Sequence, residues 1–158
     1  MLNRIDAERL KSDLILPWLI VGLMLAMLAS YVAVCHLIGD QLQQHLPEQR
    51  RELIRTLLYA AAIVDFPMTN LIRYIMVRLN QTMPGDSSPK QRYLTTVIVS
   101  MALVEMVGVF GFVMFLIGDD FNTLYIFTGL AMLGAFLYRP KADEYLSILK
   151  ARSADSHE

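Results

Sequence analysis

The stretch VIVSMALVEMVGVFGFVMFLI, residues 97–117, is free of charge except for one carboxylate, Glu105. At roughly 1.5 Å per residue a helix of this length reaches about 31 Å, matching a hydrocarbon core of about 30 Å. Such a run reads as a transmembrane helix and decides the class of the whole chain. An ionisable carboxyl at its centre costs about 2.5–3.5 kcal/mol on insertion scales, so it is expected to be paired, protonated or functional.

The same pattern extends outward. Residues 14–38 and 121–138 contain no Asp, Glu, Lys or Arg, and as helices they reach about 37 and 27 Å. The expected fold is all-α: an integral membrane four-helix bundle of two antiparallel hairpins, with helices over 14–38, 53–79, 93–117 and 121–139 and a cytoplasmic tail over 140–158 that is part helix and part frayed end. The second helix is the polar one, because Asp65, Pro67, Asn70 and Arg73 interrupt its apolar residues. It reads either as a buried member whose polar groups face protein, or as an amphipathic helix lying at the interface.

Punctuation divides the chain into hairpins. Residues 80–91 hold the Pro-, Gly- and Ser-containing loop MPGDSSPK, and the connection at residues 118–122 is so short that the helices flanking it are expected to be antiparallel neighbours. Before Pro17 and Trp18, the positions Leu2, Ile5 and Leu10 suit a short surface helix. The tetrapeptide LIGD recurs at residues 37–40 and 116–119, but its surroundings differ, Glu105 falling opposite Ala26, and duplication is not expected.

With both termini cytoplasmic, the inner segments collect Arg4, Arg9, Lys11, Arg73, Arg78, Lys90, Arg92, Arg139, Lys141, Lys150 and Arg152, leaving Arg50, Arg51 and Arg55 outside. This asymmetry orients the chain by the positive-inside rule, and a bacterial inner membrane is the expected location.

Several function classes are disfavoured. A net charge of −1 without a basic cluster speaks against nucleic acid as a partner. The single cysteine, Cys35, cannot form an internal disulfide or a metal cluster. His36, His45 and His157 do not fall on facing membrane helices as a bis-histidine haem requires. No nucleophile motif or phosphate-binding loop is present, so neither an enzyme nor a cofactor is expected. The lipid bilayer, further copies of the chain or a larger membrane complex are the expected partners.

Glu105 shares a helix face with Met101, Ala102, Gly108, Val109 and Phe112. Ala102 and Gly108 permit close helix approach, as small residues do within membranes, and Gly111 adds to that set. By helical rise from the cytoplasmic edge, Arg73 sits about 6 Å deep, Glu105 about 12 Å and Asp65 about 18 Å. Two states follow. Arg73 reaches Glu105 and the two form a structural pair, or Arg73 turns to the interface and leaves a carboxyl free to carry a proton. Asp65, two residues before Pro67, reads as a group stabilising a kink or as a second carboxyl on an ion path.

Residues 102–113, ALVEMVGVFGFV, resemble the ion-carrying helix of the c subunit, or proteolipid, of rotary ATP synthases, through Glu105, Phe110, Gly111 and Val113. That resemblance implies an oligomer whose Glu105 binds and releases protons or sodium ions. The Gly-rich inner helix of that family has no counterpart here. The whole chain is also similar to a group of uncharacterised bacterial four-helix membrane proteins with an ALxE segment and a closing Tyr-Arg-Pro, which implies a fold and no activity. Two functions are therefore expected: ion binding or carriage by Glu105 with Asp65, or a non-catalytic accessory or scaffold subunit in which Glu105 and Arg73 lock helices together.

Overall fold

A computed structural model of the chain describes residues 4–85 and 87–155; Leu2, Asp86 and His157 lie outside the described residues. Every regular element among the described residues is a helix: α1 (Arg4–Leu42), α2 (Glu48–Thr82), α3 (Pro89–Leu116), α4 (Phe121–Leu137) and α5 (Ala142–Asp155). By length and composition α1, α2 and α3 can each cross a membrane, and α4 joins that group when taken with α5, from which it is bent by 42°.

Local chemistry sets the boundaries. The Ser88 hydroxyl accepts the Gln91 amide proton at 3.3 Å, and Pro89 occupies the first turn of α3, where its missing N–H costs nothing. Asp120 caps α4 by accepting from the Thr123 amide at 3.1 Å. Pro17 lies inside α1, so the expected surface helix and the first membrane helix form one continuous rod. A single proline removes one backbone donor, and the helix passes through it. Pro67 is likewise accommodated within α2.

The third helix is the axis of the molecule. α3 packs against α1, α2, α4 and α5, whereas α1 and α2, joined in sequence, scarcely touch. The first hairpin is thus connected but not packed, because α3 holds its two helices apart. Between α3 and α4 the approach is close: a methyl group added at Gly108 would lie 3.5 Å from the Ala131 Cβ, and one at Gly111 would lie 2.7 Å from the Phe127 Cβ. The pairs Gly108–Ala131 and Gly111–Phe127 run in opposite sequence directions, so the two helices are antiparallel.

In α2 the residues Ala62, Asp65, Thr69 and Arg73 are buried, at a spacing that places them on one face. Leu57, Ile63, Leu71 and Ile75 are exposed. The two charged residues that weaken α2 as an isolated membrane helix, Asp65 and Arg73, are therefore turned toward protein, whereas Asn70 is exposed.

At the end away from α5, the α1–α2 connection closes onto the α3–α4 turn. Gln44 N donates to Leu116 O at 2.7 Å, and Leu46 N donates to Ile117 O at 3.2 Å. Gly118 makes this possible, with φ at +99° and Gln44 O only 3.1 Å from where a Cβ would stand. Asp119 is buried and held by Arg55, whose Nε lies 2.8 Å from Oδ2 and whose Nη2 contacts Oδ1. Arg51 Nη1 donates to Gly118 O at 2.9 Å. In the other LIGD copy Gly39 lies inside α1 and Asp40 is exposed, so the two copies do different things.

Asp119→Ala is expected to cost about 1–2 kcal/mol, a charged hydrogen-bond loss discounted for the partial exposure of Arg55. A drop in the midpoint of detergent-driven unfolding checks it; an unchanged midpoint counts against the closure.

Candidate functional site

Glu105 lies on α3 and faces α1. It is 7 % exposed, and its Oε1 is buried without a hydrogen-bond partner among the described residues. The polar side chain facing it is Tyr31 of α1. The Tyr31 ring stacks on Phe112 with centroids 5.3 Å apart, about two turns beyond Glu105 on the same face. Gly108, between them, sits against Leu28: a methyl group there would clash with the Leu28 Cδ2. Tyr31 and Leu28 of α1 thus meet the Glu105 side of α3, and the small residue Gly108 brings α1 close.

Arg73 is elsewhere. Its Nη2 lies 2.7 Å from Glu144 Oε2 and its Nε lies 3.2 Å from Glu144 Oε1. Nη1 donates to Tyr138 O at 2.8 Å and Nη2 to Arg139 O at 3.2 Å. The guanidinium therefore closes the C-terminal end of α4, where carbonyls lack helical donors, and binds the first turn of α5 by a forked pair. Of the two states open to Arg73, pairing with Glu105 is not the one adopted among the described residues. The physical reason is that α5 supplies a nearer carboxylate together with free carbonyls, which together use the fork of the arginine.

The segment expected as a tail is a packed cap. Tyr145 and Ile148 of α5 are buried, three residues apart on one face. Tyr145 donates to Asp13 Oδ2 at 2.9 Å, Lys90 reaches the other Asp13 oxygen at 3.1 Å, and Gln81 donates to Ser147 at 2.9 Å. Burial pushes the Tyr145 hydroxyl up, and its bond to Asp13 adds to the shift. Tyr93 accepts the Lys141 amide proton at 2.7 Å and lies 3.4 Å from Glu144 Oε2. α5 is consequently fastened to α1, α2 and α3 by side chains from all of them.

Asp65 is buried on α2 and accepts from the Thr69 hydroxyl at 3.4 Å. No hydrogen bond joins it to Glu105 among the described residues, so the two carboxyls are not gathered into one site. At the residue before Pro67, Tyr138 donates to Phe66 O at 2.7 Å, giving that stretch of α2 an extra donor from the C-terminal end of α4. Of the expected packing residues, Gly108 and Gly111 are buried and lie at helix contacts, whereas Ala102 is exposed. It shares an outward stripe with Ile98, Met106 and Val113, so it packs no helix of this chain.

Sequence reasoning missed Tyr31, Glu144 and the pairing of Asp119 with Arg55. Each left a trace: a lone tyrosine inside the charge-free run of α1, an acid in a tail with buried-face spacing, and arginines four apart at the start of α2 opposite an acidic turn.

No protein-family model, curated protein or solved structure matches the chain. Function rests on the geometry.

Proposed function

We propose that the chain is a membrane-embedded ion-binding protein in which Glu105 takes up and releases a proton. The observation that carries this reading is the buried Glu105 Oε1 without a hydrogen-bond partner among the described residues, while the cation expected for it, Arg73, is committed to Glu144. A buried carboxylate without a countercharge is costly, and binding a proton removes the charge in place. A sodium ion would need several oxygen ligands, whereas the helix face of Glu105 continues into Gly108 and Phe112, which meet Leu28 and Tyr31. Proton binding is therefore preferred over sodium.

In this reading α1 to α4 cross a bacterial inner membrane with both termini cytoplasmic, and α5 caps the cytoplasmic end. The distribution of Lys and Arg supports that orientation. The outward stripe of Ile98, Ala102, Met106 and Val113 supports assembly with further copies, since small and apolar residues favour helix association in lipid.

Labelling of the membrane-inserted protein with an apolar, carboxyl-reactive carbodiimide tests the proposal. Glu105 should be modified in the wild type, and modification should fall about tenfold or more in Glu105→Gln with assembly intact, since a protonated buried carboxyl is the reactive form. Failure to modify the wild type at Glu105 would overturn the reading, as would Glu105→Gln collapsing the fold.

A further inference from the structure

We propose that the groove between α1 and α4 near α5 is a binding site for an anionic diacyl phospholipid. Trp18, Val21 and Leu25 of α1 face Met132 and Phe136 of α4 across a cavity of about 370 Å³, and Arg139 stands at its end. The walls are almost wholly apolar, and Trp18, Met132 and Phe136 are exposed to whatever surrounds the protein. This inference rests on α1 and α4 lying in a membrane and is independent of any role for Glu105.

The occupant is indicated by charge. Arg139 has no carboxylate partner among the described residues: its Nη1 donates to Phe136 O at 3.2 Å, and its guanidinium lies 4.3 Å from the centre of the Phe136 ring. The cation is thus held against the groove by an aromatic face, with most of its donors still free. It follows the last turn of α4, at the end where Trp18 stands on α1. Tryptophan and arginine at one level are the side chains that meet lipid headgroups. An acyl chain fills the apolar walls while its phosphate receives the guanidinium, a match that a neutral or zwitterionic lipid satisfies less well.

The protein carries its own reporter, because Trp18 is the only tryptophan. Full-length protein is reconstituted into phosphatidylcholine vesicles containing a small fraction of lipid brominated on its acyl chains, either phosphatidylglycerol or phosphatidylcholine, and Trp18 emission is followed. Quenching per mole should be about fivefold greater for the brominated phosphatidylglycerol, the preference one basic residue gives near a membrane surface. Arg139→Gln should abolish that preference and retain quenching by both lipids, while Lys150→Gln, an exposed position on α5 away from the groove, should leave it unchanged.

Equal quenching by the two lipids in the wild type overturns the proposal, as does an unchanged preference in Arg139→Gln. Equal loss of preference in Lys150→Gln would assign the effect to general surface charge and also overturn it. Quenching that disappears as the protein-to-lipid ratio rises would make a second copy of the chain the occupant instead. No quenching by either lipid at high mole fraction would remove α1 from the bilayer, a separate failure of the membrane reading itself.

Discussion

Arg73→Met is expected to destabilise the helical assembly by about 2–4 kcal/mol, the cost of breaking a buried pair reduced for the partial exposure of Glu144. The substitution removes the fork to Glu144 and also the donors to Tyr138 O and Arg139 O, so it unfastens α2 from α4 and α5 together. Two readouts are expected to move. The midpoint of detergent-driven unfolding should fall, and the Arg139–Lys141 connection should become open to protease while the α3–α4 core persists. A double-mutant cycle gives the sharper test. Arg73→Met and Glu144→Gln should couple by about 1 kcal/mol or more, and Arg73→Met and Glu105→Gln should be additive. The reverse result, coupling to Glu105 and none to Glu144, would mean that the arginine serves the membrane carboxyl after all.

Gly111→Val is expected to be at least as damaging, at about 3 kcal/mol or more, because overpacking here cannot be relieved by a flexible side chain. A Cβ at Gly111 stands 2.7 Å from the Phe127 Cβ and 3.1 Å from Leu124 O, so α4 itself must move. Gly108 offers a contrast. Its obstacle is the terminal methyl of Leu28, which can rotate or be trimmed. Gly108→Ala should therefore be rescued in part by Leu28→Ala, whereas no single small substitution on α4 should rescue Gly111→Val. Unfolding midpoints of the single and paired variants decide it; a mild Gly111→Val would show that α3 and α4 can separate at little cost.

Much of this architecture is written in the placement of charge. Uninterrupted apolar runs mark α1, α3 and α4, and the four-residue turn before α4 makes the last two neighbours. For α2 the polar residues were legible but their direction was not, since a sequence cannot say whether Arg73 faces lipid headgroups, Glu105 or another acid. The choice depended on α5, which is legible as a partly helical tail but whose Tyr145 and Ile148 form a period too short and too mixed with charge to show that it packs on the other helices. Ala102 illustrates the opposite error. A small residue beside a functional one suggests a packing face, but Ala102 and Gly108 stand three residues to either side of Glu105 and so point about 120° apart around the helix, which lets one pack while the other faces outward. Glu105 is legible as an unusual residue, and the facing Tyr31 is hidden because a tyrosine in a membrane run ordinarily marks an interface.

The central position of α3 bears on how the chain is made. Helices enter a membrane in the order of synthesis, and α1 and α2 emerge first with almost no surface in common. Asp65, Thr69 and Arg73 are then left on a helix whose partners are still in the ribosome or not yet translated, α5 being the last to appear. Until it does, α2 has reason to linger at the translocon or beside an insertion factor instead of moving into lipid. A chain stopped after Thr82 would present the quality-control machinery with an arginine that has nothing to hold.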